Sequence, residues 1–157
     1  MQKKRTPQRQ HDYDVVYMKM AMDLATLSYA ERKKVGAIIV SENDQIIAQG
    51  YNGTPHGFNN CCEDILADGE LVTKPEVLHA ETNAIAKCAK YCSSTVDSTL
   101  YVTLSPCINC AKLIIQAEIK RVVYLEDYRN NEGLDLLRKC GIKIEKLSGI
   151  ILYETNK

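Results

Sequence analysis

Residues 99–125, TLYVTLSPCINCAKLIIQAEIKRVVYL, decide how this chain folds. Thr99 to Leu104 and Arg121 to Leu125 are apolar runs rich in β-branched residues, which predicts two buried strands. Cys107 to Ala117, which lies between them, has apolar residues at helical spacing and predicts a helix. A strand, a helix and a second strand in this order form a right-handed crossover between parallel strands. We therefore expect a sheet that is parallel at least in part.

The pattern continues in both directions along the chain. Downstream, a further helix ends at Gly141, a residue that suits a left-handed helix cap. Upstream, two apolar runs flank the turn at Asn43-Asp44 and predict an antiparallel hairpin. The other predicted elements are helices at 12–30, 79–89 and 134–140, and strands at 35–40, 45–51 and 142–147. Together they predict a three-layer α/β/α fold, with a mixed sheet of about five strands and helices on both faces.

Composition limits the partners that this chain could have. Its 157 residues suit one domain, and 20 basic residues balance 20 acidic ones, so the formal net charge is zero. Binding to nucleic acid polymers or membrane surfaces normally needs excess basic charge, so we expect neither. Residues 1–11 are polar and basic and are expected to form a flexible tail ahead of a single domain at 12–157. Seven cysteines, an odd number, with no secretory segment favour a cytoplasmic protein with reduced thiols.

Two short motifs carry the chemistry. His79-Ala80-Glu81 stands at the start of a predicted helix, and Pro106-Cys107-Ile108-Asn109-Cys110 follows a strand and opens the next helix. Cys107 and Cys110 are three residues apart, so their sulfurs lie on one helix face, and the helix dipole favours the thiolate. Two thiolates and one imidazole suit Zn²⁺ and leave a fourth position for water. Glu81 is not placed as a ligand beside His79 and is better suited to carry protons.

Each motif alone has a less specific interpretation. A Cys-x-x-Cys pair can be a redox pair or half of a structural zinc site, and His-x-Glu alone indicates very little. The two motifs in this order, each at a predicted helix start, strongly favour a catalytic zinc site.

The chain resembles the zinc-dependent cytidine and deoxycytidylate deaminase family, most closely its deoxycytidylate (dCMP) deaminases. The likeness runs from about Lys34 to Gly141. It is carried by the segments Val35-Gly36-Ala37, Gly50-Tyr51-Asn52-Gly53-Thr54-Pro55, His79 to Ile85, Tyr101 to Cys107 and Cys110 to Ala117. One departure is Glu118, where the family usually has glycine at the end of a helix. A non-glycine residue there costs about 1 kcal/mol, or the cap is rebuilt.

The resemblance implies hydrolytic deamination of dCMP to dUMP and ammonia, which supplies dUMP for thymidylate synthesis. It implies that His79, Cys107 and Cys110 hold one zinc ion and that Glu81 is the catalytic proton carrier. Asn52 resembles the family asparagine that contacts base and sugar, although it could also be a turn residue before Gly53. Further substrate-binding candidates are Lys33, Ser105, Tyr124 and Tyr128, with Arg32, Lys34, Lys74 and Arg129 as other candidates for the phosphate.

The long loop that begins near Asn52 is expected to be regulatory, because long loops in compact domains are more often functional than idle. In related enzymes it binds triphosphates, so the resemblance implies activation by dCTP and inhibition by dTTP, with Mg²⁺ accompanying the triphosphate. The candidate allosteric residues are Gly53, His56, Asn60, Cys61 and Asp64. The resemblance also implies a homohexamer or another homo-oligomer, and some relatives bind a second, structural zinc.

Two alternatives remain open from the sequence. One keeps the chemistry but changes the substrate to cytidine, guanine or an adenosine of transfer RNA. The other is a catalytically silent, zinc-containing module that binds nucleotides.

Overall fold

A computed structural model describes residues 5–149 of the chain. The helices are α1 (Pro7–Ala25), α2 (Ala80–Lys90), α3 (Ile108–Gln116) and α4 (Glu132–Lys139). The strands are β1 (Gly36–Val40), β2 (Ile46–Tyr51), β3 (Glu63–Ile65), β4 (Leu71–Thr73), β5 (Thr99–Leu104), β6 (Arg121–Glu126) and β7 (Lys143–Lys146). Within the described residues no helix is both long and apolar enough to cross a bilayer.

Five strands form the main sheet in the order β2-β1-β5-β6-β7. β1 pairs antiparallel with both β2 and β5, whereas β5, β6 and β7 run parallel to one another. The mixed sheet predicted from the crossover at 99–125 is therefore confirmed. The parallel half of the sheet positions one of the two sequence motifs, because the chain passes from the end of β5 directly into the Pro106-Cys107 segment.

Successive side chains along each strand point to opposite faces of the sheet, so two hydrophobic cores form, one on each face. On one face, Ile38 and Tyr101 pack with Tyr17, Met18 and other residues of α1. On the other face, the strand neighbours of these residues pack against α2, α3 and α4. Helices thus cover both faces, which confirms the α/β/α layers.

Two glycines let helices approach strands β1 and β2 closely. A Cβ atom added to Gly36 in β1 would lie 2.0 Å from the carbonyl oxygen of Ala21 in α1. One added to Gly50 in β2 would lie 2.3 Å from the carbonyl oxygen of Ala80 in α2. Both glycines are therefore required by packing, and the second one fixes the start of α2 against the sheet.

The first helix begins and ends earlier than predicted. It starts at Pro7, where proline fits a first helical position, and Thr6 Oγ1 accepts a hydrogen bond of 3.2 Å from Arg9 N. Residues 7–11, which were predicted to belong to a flexible tail, are therefore helical; residues 1–4 lie outside the described part. The helix ends at Ala25, not at residue 30.

The predicted long loop contains a short hairpin. β3 and β4 pair antiparallel, with Glu63 opposite Thr73. Each strand has only three residues, too few to show a period in the sequence.

Glu118 adopts the left-handed conformation that the family pattern assigns to glycine. Its φ angle is 54°, and the next residue, Ile119, donates a 3.3 Å hydrogen bond to Ile114 O at the end of α3. The helix therefore keeps its usual termination, at a conformational cost of about 1 kcal/mol.

Candidate active site

Three potential metal ligands converge where two helices begin. His79 is the N-cap of α2, Cys107 is the N-cap of α3, and Cys110 lies in the first turn of α3. His79 Nδ1 lies 3.5 Å from the Cys107 sulfur and 3.3 Å from the Cys110 sulfur. All three donor atoms lie within 4.8 Å of one another, so a single ion can contact them all. The structure thus brings together the three residues predicted to be ligands.

The donor set fits zinc. Two sulfurs and one imidazole are ligands that zinc favours, and three protein ligands leave a coordination position open, as in catalytic zinc sites. The N-termini of α2 and α3 both point their positive dipole ends at this cluster, which stabilises anionic sulfur. Thr82 Oγ1, 3.6 Å from the Cys110 sulfur, adds a hydrogen bond to one ligand.

The three side chains share protons through hydrogen bonds, and this favours negative charge on sulfur, which suits a bound cation. The hydrogen bond with Cys110 lowers the pKa of Cys107 to about 3, against the opposing effect of burial, and His79 assists. The pKa of Cys110 is raised, because it holds the proton shared with Cys107 and is buried. The hydrogen bond with Cys107 raises the pKa of His79. The cluster therefore favours a negative charge on one sulfur, Cys107.

Glu81 is buried beside the three ligands. Its side chain belongs to the first turn of α2, and the residue is only 4% exposed. Burial raises the pKa of its carboxyl to about 7, despite the opposing charge of His79. A carboxyl that titrates near neutral pH can both take up and release a proton, which general acid–base catalysis requires.

A cleft of about 430 Å³ opens above this cluster. That volume lies in the range of small-molecule sites. Its floor includes His79, Glu81 and Cys107. Its walls include most of the residues predicted to bind substrate or phosphate: Arg32, Lys33, Asn52, Ser105, Tyr128 and Arg129. The predicted phosphate candidates Lys34 and Lys74 do not line this cleft; Lys74 lines an adjoining one with Arg32 and Arg129.

Asn52 faces the cleft but also holds its wall. Its Oδ1 accepts a 2.8 Å hydrogen bond from Val35 N, and its Nδ2 donates one of 2.8 Å to Lys33 O. The Ser28 hydroxyl donates to Asn52 O at 2.7 Å. The predicted contact of Asn52 with a substrate stays a prediction, whereas its role as a brace for residues 33–35 is visible.

Ser105 and Tyr128 lie together on the opposite wall. Ser105 Oγ accepts a 2.7 Å hydrogen bond from Tyr128 N, and Ser105 N donates to Glu126 O at 2.8 Å. Tyr124, in contrast, is not brought to the cleft. It is 6% exposed and packs in the core beneath α4, because alternation along β6 turns it to that face. Its predicted role in substrate binding therefore lacks support from its position.

The candidate allosteric residues lie around the cleft rather than in it. Gly53 pairs with Leu78 through main-chain hydrogen bonds of 3.1 and 2.9 Å, just before His79. His56, Asn60, Cys61 and Asp64 are exposed, and Asp64 lies 3.6 Å from Lys74. Among residues 5–149, His79, Cys107 and Cys110 are the only three His, Cys or acidic residues whose donor atoms lie close enough together to share a metal.

Two residues that sequence reasoning missed also shape the site. A Cβ atom on Gly133 of α4 would lie 2.0 Å from Pro106 O, so this glycine lets α4 pack directly on the Pro106-Cys107 main chain. Glu63 of β3 is a buried acid that lines the cleft. A glycine at a helix start and an acid in a polar loop are too common to single out from the sequence.

Comparisons with known proteins agree with this geometry. Residues 11–126 match the family described as the cytidine and deoxycytidylate deaminase zinc-binding region. The chain is 37% identical over 150 residues to the deoxycytidylate deaminase of Enterobacteria phage T4, covering 71% of this chain and 77% of that protein. It is 42% identical over 141 residues to the deoxycytidylate deaminase of Mus musculus, covering 85% and 74%.

A solved structure gives the same result. The dCMP deaminase of the cyanophage S-TIM5, crystallised in complex with dCMP and dUMP, superposes with a TM-score of 0.80. The two sequences are 45% identical, and the match covers 92% of this chain and all (100%) of that chain. The zinc-type ligand cluster, the buried glutamate and these likenesses lead to one conclusion: the chain belongs to the cytidine and deoxycytidylate deaminase family and is a deaminase.

Proposed function

We propose that this enzyme hydrolyses dCMP to dUMP and ammonia and so supplies dUMP for thymidylate synthesis. The observation that carries the proposal is the buried Glu81 beside His79, Cys107 and Cys110, at the floor of a cleft that Arg32, Lys33 and Arg129 also line. The names of relatives that are at least 37% identical, and the dCMP and dUMP held by the S-TIM5 enzyme, support the same substrate.

The reaction needs one water and two well-timed proton transfers. Zinc held by His79, Cys107 and Cys110 would lower the pKa of water towards about 7, which makes a nucleophile available at neutral pH. Oxygen of water adds to the amino-bearing carbon of the pyrimidine, and the carbon–nitrogen bond to the amine then breaks. Glu81 accepts one proton from the water and passes it to the adjacent ring nitrogen. It then takes the second proton from the hydroxyl oxygen now bonded to the ring carbon, which becomes the carbonyl of dUMP, and passes it to the amino group, which leaves as ammonia. Its pKa of about 7 suits both directions of transfer.

The walls of the cleft suit a mononucleotide. Arg32, Lys33 and Arg129 line the cleft together with the acids Glu63, Glu126 and Asp127, so its basic residues are a few local cations and not a broad basic surface. Three cations are enough for one phosphate, whereas an RNA substrate normally requires a broad basic face. This favours dCMP over an adenosine in transfer RNA, and the three basic residues available for a phosphate favour it over a free nucleoside or base. A silent binding module would not need the carboxyl of Glu81.

Regulation and assembly are part of the proposal. Activation by dCTP and inhibition by dTTP, with Mg²⁺ accompanying the triphosphate, would act through residues 53–64. That segment touches the site at two points: Gly53 pairs with the residue before His79, and Glu63 lines the cleft. A homohexamer or other homo-oligomer would make the response cooperative.

A substrate panel tests the proposal. Zinc-loaded protein is incubated with dCMP, deoxycytidine, cytidine, guanine and an RNA stem-loop, with and without dCTP and dTTP, and ammonia is measured. We expect rapid turnover of dCMP, faster with dCTP and slower with dTTP, by a protein whose mass in solution exceeds that of one chain. A preference for any other substrate would replace dCMP in the proposal. No turnover of any compound would favour the silent module.

A further inference from the structure

A second buried carboxylate lies at the cleft, on the hairpin that follows the long loop. Glu63, the first residue of β3, is only 8% exposed. Its Oε1 accepts hydrogen bonds from Glu31 N at 3.2 Å and Arg32 N at 3.4 Å, and its Oε2 lies 3.3 Å from Glu31 N. Burying a carboxylate costs free energy unless hydrogen bonds compensate for the lost water. In Glu63 these hydrogen bonds come from two main-chain amides.

The segment that Glu63 holds is the wall bearing two of the three cations. Residues 26–35 connect α1 to β1 without regular secondary structure, so side chains from elsewhere must fix their position. Asn52 holds residues 33–35 from one side, and Glu63 holds residues 31–32 from the other. The main chain is thus tied at both ends of a short stretch, and the side chains of Arg32 and Lys33 line the cleft.

The hairpin also contacts Arg32 directly. Arg32 Nη1 donates a 3.2 Å hydrogen bond to Thr73 Oγ1, and Thr73 lies opposite Glu63 in the pairing of β3 with β4. On the far side, Lys33 forms an ion pair with Glu126 of β6. Without Glu63, Lys33 would still be drawn to Glu126, but the main chain of residues 31–32 would lose its anchor on the hairpin.

We propose that Glu63 is a positioning residue, which holds Arg32 and Lys33 where they can bind the phosphate of a nucleotide and so sets the preference for a nucleotide over its nucleoside. This rests on the proposed deamination of dCMP. Glu63 itself acts through the main chain of residues 31–32 and does not take part in the chemistry at Glu81. Its removal should therefore weaken the binding of phosphorylated substrate and leave the chemical step intact.

Steady-state kinetics of Glu63→Ala test the proposal. The KM for dCMP should rise about tenfold or more, as expected for one lost charged hydrogen bond, while kcat changes less than about twofold. The kcat/KM for deoxycytidine should be unchanged, so the preference for dCMP over deoxycytidine falls by the same factor. Glu63→Gln keeps one carbonyl oxygen that can accept a main-chain N–H, and it should restore part of the loss. Glu70→Ala, an exposed acid in the turn of the same hairpin, is the matched control and should behave like the wild type.

Each outcome decides the matter. A rise in KM that is confined to dCMP, with zinc content and Tm close to wild type, supports the proposal. Equal losses on dCMP and deoxycytidine, or a fall in kcat without a change in KM, would show a merely structural role and overturn it. Kinetics like the wild type in both Glu63 variants would overturn it too. If deoxycytidine turns over too slowly to measure, the split between KM and kcat on dCMP decides alone. Failure of the wild type to deaminate dCMP would instead contradict the proposed function.

Discussion

Glu81 and Asp14 are two carboxylates on opposite faces of the sheet, each only 4% exposed to solvent, although Glu81 lies deeper in the protein. Burial alone opposes the charge on both. For Asp14, hydrogen bonds from Arg121 and Tyr101 outweigh this effect, and its pKa is lowered. For Glu81 burial prevails, and its pKa rises to about 7.

The hydrogen-bond and ion-pair partners of the two carboxyl groups help to explain why their pKa values shift in opposite directions. Both oxygens of Asp14 accept from the Arg121 guanidinium, at 2.8 and 2.6 Å, and Tyr101 Oη donates to Asp14 at 2.8 Å. Its lowered pKa keeps this carboxylate ionised at neutral pH, and its ion pair and hydrogen bonds tie α1 to β5 and β6. No arginine lowers the pKa of Glu81 in the same way, so its carboxyl can change its protonation state near neutral pH. The same low exposure therefore accompanies a structural ion pair at Asp14 and a carboxyl that can change its protonation state near neutral pH at Glu81.

The largest expected effect is the loss of catalysis in Glu81→Gln. Its neutral amide cannot exchange protons, so kcat for dCMP should fall about 10²- to 10⁴-fold. Zinc content, measured by elemental analysis, should stay at one ion per chain, because Glu81 is not among the ligands. Loss of zinc in this variant would contradict the distinction between Glu81 and the ligand set.

Asp14→Ala should affect stability instead of chemistry. It leaves the buried charge of Arg121 without its main partner, which should cost about 3–5 kcal/mol in the free energy of unfolding. Urea titration measures the loss, and Asp12→Ala, an exposed acid of the same helix, is the control. Replacing the pair with Leu at 14 and Met at 121 should recover much of the stability. A loss of kcat in folded Asp14→Ala protein would break the comparison.

Gly133→Ala should disturb the Glu81 side alone. Its Cβ would clash with Pro106 O, so α4 must move away from the segment that bears Cys107, at a cost of about 1–3 kcal/mol. We expect weaker zinc retention in chelator competition and a lower kcat, with the Asp14 network intact. Gly53→Ala, where an added Cβ meets nothing within 4 Å, shows the effect of the same change without the clash. The Gly53→Ala control is compared only in zinc retention and in the free energy of unfolding. Unaltered zinc retention in Gly133→Ala would contradict this role for α4.

The smallest expected effect is on the pH dependence of stability. The lowered pKa of Asp14 means that the folded state binds this proton less tightly than the unfolded chain. Its contribution is therefore present above the unfolded pKa of about 4 and is lost as pH falls through the folded value. Unfolding free energies of wild type and Asp14→Asn, compared between pH 7 and pH 3, should converge as pH falls. A gap that stays constant would show that Asp14 keeps its charge throughout this range.

Much of the site could be predicted because its information is local. Cys107 and Cys110 are three residues apart, so helical geometry alone places both sulfurs on one face. His79-Ala80-Glu81 likewise lies within one helix start. That the two motifs meet in space followed from the family likeness.

Contacts between distant segments could not be predicted in this way. Asp14 and Arg121 are 107 positions apart, and Glu63 and Arg32 are 31 apart, so no spacing rule connects them. Tyr124 was placed in the site by residue type, but which side of β6 it occupies depends on how the sheet is covered.

The sequence by itself predicted the helices and strands around the main sheet, the candidate metal ligands and the glutamate beside them, because each motif lies within a short stretch of chain and its residue types indicate its chemistry. Only the tertiary structure decided which buried acid pairs with an arginine, which glycine lets α4 reach Pro106, and which acid holds the main chain of residues 31–32. Those outcomes depend on the positions of side chains from separate elements, and packing sets these positions once the whole domain has formed.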